Sequence, residues 1–589
     1  MTDLKPTPTS NASLPMRFAD FETLAEGLDY AARGQSGFNF YTARGELQVA
    51  LSYAELRDRA VEFARGLISA GLNRGDRFLL IADTDANFMV AFFACQYAGL
   101  LPASAPIPTS LGGRAEYIIS LRRLLQSTGA RAAMAPAILA EYLTEAAEGL
   151  DVPLLGGPAD FYGLPAKQAD LRTWQANERC YLQFSSGSTR FPHGIDVPQR
   201  ALMANAYAIT HDGLKIGEND RCMSWLPLYH DMGLVGFTLV PLLTQMSVDY
   251  LATRDFARRP LMWPRLITMN GATLSYSPSF GYDLAARRID HSSRVEGIDL
   301  SCWRAAGIGG DMIQPRVLER FAEIFGPYGF RREAFVPSYG MAETVLAISF
   351  APADVGMQID RIDRQQLANN NEAVPTKSSD PKTARDLVLC GKLLSRHEAE
   401  IRDEKGRILP DRRVGRIFVR GPSIMTGYFQ EPEATAAVLT ADGWLDTGDL
   451  GYSLGGNLVI TGRSKDLIII NGRNIWPQDL EWSVEEQLSL RRGDTAAFAY
   501  EDEDGNERVM MLVQCRVPDA ERRGQLAKNV AGVLQRAHAV EATVTLVPPH
   551  GLPQTSSGKL SRARAKANWL AGAYAAGPDS VRNAATGTA

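Results

Sequence analysis

The residues best suited to chemistry begin at Ser185, where an apolar run, Tyr181 to Phe184, empties into Ser185-Ser-Gly-Ser-Thr-Arg-Phe-Pro-His-Gly194. Four hydroxyls, two glycines and a proline fall within that stretch, a composition that lets backbone N–H and side-chain O–H groups converge on one anion. Such a loop suits a phosphate, although the same residue types also mark plain polar turns between strands. It is not a Walker loop, because Gly-x-x-x-x-Gly-Lys-[Ser/Thr] occurs nowhere in the chain.

Six further stretches share its character, each short, polar or glycine-rich, and set at the end of a strand-like run, where α/β proteins bind ligands. They are Tyr229-His-Asp-Met-Gly233, Ala306-Gly-Ile-Gly-Gly-Asp311, Pro337-Ser-Tyr-Gly-Met-Ala-Glu343, Trp444-Leu-Asp-Thr-Gly-Asp449, Gly462-Arg-Ser-Lys-Asp466 and Thr555-Ser-Ser-Gly-Lys559. Taken singly, each has a bland alternative. Glu343 suits a hard divalent cation or a helix N-terminus whose dipole favours a carboxylate. Asp449 suits the vicinal hydroxyls of a sugar, or its own turn backbone. His230 suits proton transfer or a satisfied core position, and Lys559 suits an anion or bulk solvent.

In this order and spacing the seven stretches resemble the core motifs of adenylate-forming enzymes, the superfamily of acyl-CoA synthetases, luciferases and adenylation domains. The resemblance runs from about residue 15 to 570. Within the superfamily the chain is most similar to the fatty acyl-AMP ligases, on Ser-Gly-Ser-Thr-Arg190, Ser224-Trp-Leu-Pro-Leu-Tyr-His-Asp-Met-Gly-Leu234, Asp299-Leu-Ser-Cys-Trp303 and Asn471-Gly-Arg-Asn-Ile-Trp-Pro477. The resemblance implies attack of a fatty carboxylate on the α-phosphate of ATP, with Mg²⁺ present and pyrophosphate departing. The acyl group would then pass to the phosphopantetheine thiol of an acyl carrier protein; an ordinary acyl-CoA synthetase is the alternative. A non-catalytic acyl- or adenylate-binding module is the alternative of another class, and the joint presence of Glu343, Asp449, Arg463 and Lys559 argues against it.

The roles the resemblance implies are specific. Ser185, Ser186, Gly187, Ser188 and Thr189 cradle the β- and γ-phosphates, with Arg190 adding a charged contact or serving a structural ion pair. Glu343 holds Mg²⁺. Tyr339, in the run Ser338-Tyr-Gly-Met341, stacks on adenine, with Ser338, Gly340 and Met341 also in the nucleotide site and Gly309, Gly310 and Asp311 on the other side of the base. Asp449 and Arg463 take the ribose or phosphates, and Lys465 is the hinge. Lys559 is the mobile ammonium that neutralises charge in the transition state. His230 shapes the pocket; no base is needed, because a fatty acid is ionised at pH 7. One departure stands out: His193 occupies the place where the commoner family loop carries Lys, so a strong cation is missing there. Met232, Leu234, Val235, Phe237 and Phe280 are candidate walls for an acyl chain, though apolar residues at helical spacing are more often plain core.

These residues must be positioned by a large scaffold. At 589 residues the chain exceeds one hydrophobic core. Its 45% hydrophobic and 22% charged content is that of an ordinary globular protein, and a net charge of −5 gives no bulk attraction to nucleic acid, which is not an expected partner. Six scattered cysteines without a Cys-x-x-Cys pair read as reduced thiols, and the polar first fifteen residues carry no secretory signal, so a cytoplasmic protein is expected. The apolar region Phe78 to Ile107 is interrupted by Asp83, Asp85, Asn87, Gln96 and Pro102, which argues against a transmembrane segment and for a buried strand and helix.

Alternating helical and strand periodicity predicts an α/β fold with largely parallel sheets. The expected organisation is a flexible stretch at 1–15, an adenylation domain at 16–464 and a mobile α+β lid at 465–570, with a flexible tail at 571–589. The large domain holds two sheet-and-helix subdomains and a small β-rich one. A polar, irregular segment at about 350–388 reads as a long loop, and by resemblance as the insertion that restrains the C-terminal domain of such ligases.

Overall fold

The computed structural model of the protein describes residues 4–9, 14–108, 113–166, 168–185, 192–289, 295–470, 472–502, 506–555 and 559–574. Two large sheets dominate. One has seven strands in the order Gly427–Tyr428, Gly194–Pro198, Arg179–Phe184, Leu101–Ala105, Arg77–Ile81, Ala132–Met134 and Leu154–Gly156. Its last five strands run parallel, and Gly194–Pro198 returns antiparallel to Arg179–Phe184.

Helices cover this sheet as the sequence directs. Ser52 accepts a hydrogen bond from the Glu55 amide at 3.1 Å and starts the helix Tyr53–Ser69, which buries Leu56, Ala60, Phe63 and Leu67 on one face. That face meets the helix Ala86–Ala98, capped by Asp85 and buried over almost its whole length, which accounts for its largely apolar sequence.

The second sheet has fourteen strands. From Gly37–Tyr41 through Val248–Leu251, Cys222–Ser224, Leu274–Ser277 and Ala305–Ile308 to Phe335–Tyr339 it is parallel. Beyond that it continues antiparallel through Ser349–Phe350, Ala384–Leu393, Asn457–Arg463, Leu445–Leu454, Gly415–Arg420 and Glu398–Arg402. The β-rich unit is thus an antiparallel extension of the second sheet. The parallel strands deliver their following loops to one edge: Ile308 leads into Gly309 and Tyr339 into Gly340, while Phe184 of the first sheet leads into Ser185.

One expectation is overturned here. The segment 350–388 is not an irregular loop: it contains the strand Ile359–Asp363, the helix Arg364–Asn370, capped by Asp363, and the start of Ala384–Leu393. Five of its apolar residues, Ile362, Leu367, Ala368, Ala373 and Leu387, are buried in one cluster with Tyr452, Val459 and Trp476. One-sided burial of so few side chains leaves a polar composition that conceals the order.

Past Arg463 a 3₁₀ turn, Ser464–Asp466, leads into the hairpin Ile468–Ile470 and Arg473–Ile475. A three-stranded sheet follows (Thr495–Glu501, Glu507–Gln514, Ala542–Val547) with the helices Pro477–Gln487, Ala520–His538 and Arg562–Leu570. This lobe has its own apolar clusters, including Leu480, Val484, Met511, Val530 and Leu534. It meets the rest of the chain through Trp476, packed with Ile362, Leu367 and Tyr452, and through the ion pairs of Asp479 with Arg364 at 2.8 Å and Arg385 at 3.0 Å. Burial disfavours the Asp479 charge, but the Arg385 and Arg364 guanidinium groups outweigh it and hold the carboxyl below its usual range.

Candidate functional site

The strand-end loops meet around one cavity of about 470 Å³. Ser185, His230, Gly309, Gly310, Ser338, Tyr339, Gly340, Met341, Glu343, Asp449, Arg463, Lys465 and Lys559 all line it. Asp311 lines an adjoining cavity of about 140 Å³, which shares Gly310, Tyr339, Asp449, Arg463 and Lys559 with the first. Ser186, Gly187, Ser188, Thr189 and Arg190 lie outside the described residues.

Local rules explain how each side chain arrives. Asp449 and Arg463 are cross-strand partners in the antiparallel extension, with Arg463 Nε 3.6 Å from Asp449 Oδ1. Tyr339, the last residue of its strand, donates its hydroxyl to Asp449 Oδ2 at 2.7 Å. Gly310 has φ +77°, a left-handed conformation that glycine adopts without strain. A Cβ there would sit 3.0 Å from Met232 Cε and 3.8 Å from Lys559 Nζ, so the turn brings backbone close to the lysine head. Glu343 is buried and accepts a hydrogen bond from the Tyr428 hydroxyl at 3.1 Å. His230 caps the short helix Asp231–Leu234, and its Nδ1 lies 2.5 Å from Asp231 Oδ1.

Burial sets the electrostatics. It raises the Glu343 carboxyl above its ordinary value despite hydrogen bonds from backbone and Tyr428. It raises Asp449 as well, against the opposing pull of Arg463, Tyr339 and Lys559. Asp231 goes the other way: burial disfavours its charge, but His230 and Lys559 hold the carboxyl low. Lys559 itself is lowered by burial and by Arg463, with Asp311, Asp231 and Asp449 opposing. Carboxylates and an ammonium that have lost part of their solvent gain from a charged ligand that restores the balance.

Much of the remaining lining is apolar, beside Gln183, His193, Arg416, Asp446 and Thr447. Ile209, Leu214 and Ile216 form one side; Gly236, Phe237 and Val240 form another; Cys222, Met246, Leu274, Tyr276 and Phe350 also contribute. Of the walls expected from the sequence, Met232 and Phe237 line the cavity. Leu234 and Val235 are buried outside its lining, and Phe280 is 39% exposed, its ring edge-on to Trp225. For Val235 the reason is local: Val235–Leu239 is π-helical, and the wider turn rotates side chains away from the faces that a 3.6-residue period assigns. Tyr276 fits because Gly307 has no side chain; a Cβ there would fall 1.9 Å from the ring.

Sequence reading also missed Tyr428 and Glu431. His193 Nδ1 lies 2.7 Å from Glu431 Oε2 and its ring stacks on Tyr428 at 4.6 Å, so the histidine in the lysine's place joins a chain of contacts that ends on Glu343. No signal near residue 193 pointed to partners more than 230 residues away.

For a metal, no group of three or more His, Cys, Asp or Glu suited to an ion exists among the described residues. Glu343 offers one hard oxygen donor beside open cavity, which fits a cation carried mainly by phosphate and water oxygens.

Comparison with known proteins agrees with this geometry. The family model described as AMP-binding enzyme matches residues 29–429. A protein of Caulobacter vibrioides (strain NA1000 / CB15N) named "Putative acyl-CoA synthetase" is 52% identical over 570 residues, 96% of this chain and 98% of that one. The medium-chain-fatty-acid–[acyl-carrier-protein] ligase JamA of Moorena producens (strain JHB) is 30% identical over 94% of this chain and 96% of its own. A solved structure from a study of fatty acyl-adenylate ligases from E. coli and L. pneumophila superposes with a TM-score of 0.90 at 45% identity, covering 96% of this chain and 100% of that one.

Proposed function

Because this chain belongs to the AMP-binding enzymes and, among them, to the fatty acyl-AMP ligases, we propose that it joins a medium- or long-chain fatty acid to AMP. ATP is the other substrate and pyrophosphate the leaving group; the acyl group then passes to the phosphopantetheine thiol of an acyl carrier protein. The observation that carries the reading is a single cavity with two natures, one end gathering Glu343, Asp449, Arg463 and Lys559 and the rest walled by Ile209, Leu214, Phe237, Val240 and Leu274. A fatty acid needs both.

In this reading Tyr339 stacks on adenine, and Asp449 with Arg463 takes the ribose. Lys559 reaches the α-phosphate and the acyl carboxylate, where negative charge grows as the bond to pyrophosphate breaks. His230, tied to Asp231, shapes the space between carboxylate and phosphate and moves no proton. Glu343, oriented by Tyr428, holds Mg²⁺, which neutralises phosphate charge when bound. Lys465 is the hinge about which the lobe carrying Lys559 turns after adenylation. The ordered segment 350–388 restrains that turn through Arg364 and Arg385 on Asp479, which favours a carrier-borne thiol over free coenzyme A. Six unpaired thiols suit a reducing cytoplasm, and no helix among the described residues is long and apolar enough to cross a membrane.

Transfer to coenzyme A is the second reading, favoured by the name of the Caulobacter relative. Incubation with ATP, a fatty acid and either holo carrier protein or coenzyme A separates the two. Acyl carrier product with little acyl-CoA is expected; robust acyl-CoA formation would overturn the choice of acceptor.

A further inference from the structure

Lys559 can serve as a lever only if its own backbone is held stiffly. The backbone around it is already tied. Thr555 N donates to Lys559 O at 2.7 Å, Lys559 N donates to Thr555 Oγ1 at 3.2 Å, and Ser561 N donates to Pro553 O at 3.0 Å. Three residues past Lys559, Arg562 opens the helix Arg562–Leu570 and turns its side chain inward, 15% exposed. Its Nε and Nη2 donate to the two oxygens of Glu481 at 2.8 and 2.6 Å, and its Nη1 donates to Asp466 Oδ2 at 3.0 Å. Glu481 Oε1 also accepts the Ala497 amide at 2.9 Å, which fixes the pair to the three-stranded sheet.

We propose that Arg562 is a positioning residue that makes Lys559 move as one body with the hinge. Asp466 follows Lys465 directly, so the guanidinium ties the first carboxylate beyond the hinge to the start of the helix three residues past the lysine. Arg562, Glu481 and Asp466 all lie on the C-terminal side of Lys465 and keep their contacts as the lobe turns. The pairs that cross to the rest of the chain, Asp479 with Arg364 and Arg385, Arg316 with Glu486, and Arg492 with Asp283, must part instead. A bidentate charge-assisted pair supplies the required geometry, since it fixes direction as well as distance. This inference rests on the adenylation role of Lys559 set out above.

The test uses the full chain with Arg562→Gln and Arg562→Lys. Misplacing the Lys559 ammonium should lower kcat for fatty-acid-dependent ATP–pyrophosphate exchange by about 100-fold in Arg562→Gln, with KM for ATP and fatty acid within about twofold. Acyl transfer from supplied acyl adenylate to carrier protein, which makes no use of Lys559, should stay within about threefold of wild type. Arg562→Lys, able to reach one carboxylate at a time, should fall between, at about tenfold. Amide hydrogen exchange at 559–561 should quicken more than in the helix Ala520–His538. Unchanged exchange kcat in both variants would overturn the proposal, as would equal loss in both half-reactions. Should the glutamine variant not fold, the lysine variant alone decides on the same split. Wild-type protein without any exchange would instead sink the adenylation reading itself.

Discussion

The two ends of the cavity are built by opposite means. The charged end takes one or two residues from each of several strand-end loops, and every group there answers to its neighbours: burial pushes Glu343 and Asp449 up and Lys559 down, while His230 and Lys559 hold Asp231 low. The apolar end is a wall of packed side chains drawn from two π-helical turns and the sheet beneath, in which no single residue dominates. The difference teaches where sensitivity lies. Removing one charge leaves partly buried partners unpaired, whereas trimming one wall residue changes shape by a few atoms.

That contrast is broken most severely at Lys559. Lys559→Ala should lower exchange kcat by about 1,000-fold while ATP affinity stays within about threefold, because the ammonium acts on charge that grows in the transition state. Kinetics beside a nucleotide-binding titration check this. The pH profile sharpens it: burial lowers the Lys559 pKa from 10.5, so exchange should fall on the alkaline side before an exposed lysine would lose its proton. The ammonium is the active form, so the rate falls as pH rises through that depressed value. Lys559→Arg should move the alkaline limb upward.

Next comes Glu343→Gln, expected to lower kcat by about 100-fold and to raise the Mg²⁺ concentration needed for half-maximal rate. A magnesium titration of exchange checks it, and an unchanged requirement would remove Glu343 from the metal. At the apolar end the effects should be smaller. Val240→Phe should shift the preferred fatty acid to shorter chains at a stability loss of about 1–3 kcal/mol, since overfilling a packed wall forces its neighbours aside. A chain-length panel reads this, and an unaltered preference would place the acyl chain elsewhere.

The smallest effect tests the C-terminal lobe alone. Glu485 is buried beside Glu481, and its pKa rises from 4.5 to about 7. Because the folded value exceeds the unfolded one, its contribution to stability is complete below pH 4.5 and is lost as pH rises through 7. Glu485→Gln should flatten that part of the melting-temperature profile with exchange kcat unaffected.

What the sequence made legible follows the same division. Glu343, Asp449, Arg463 and Lys559 stand in short contiguous motifs, each carried by local turn chemistry, so reading along the chain finds them. Helices with clear caps, such as Tyr53–Ser69 behind Ser52 and Pro477–Gln487 with its first-turn proline, were equally visible. The apolar end was not, because π-helical turns break the period on which face assignment depends and because Cys222 and Leu274 are sheet residues with no mark of their own. The order in 350–388 was hidden by a core of few side chains completed by Tyr452 and Trp476, far along the chain. Tyr428 and Glu431, the partners of His193, escaped because their contacts with it exist only in three dimensions.

The most direct measurement is ATP–pyrophosphate exchange by wild-type protein across a panel of straight-chain fatty acids, with amino acids as controls. This account predicts exchange that depends on the fatty acid, passes through an optimum in the medium-to-long range and is silent with amino acids. Exchange that ignores the added acid, or that answers to an amino acid instead, would contradict the claim that one cavity holds both the nucleotide and an aliphatic chain.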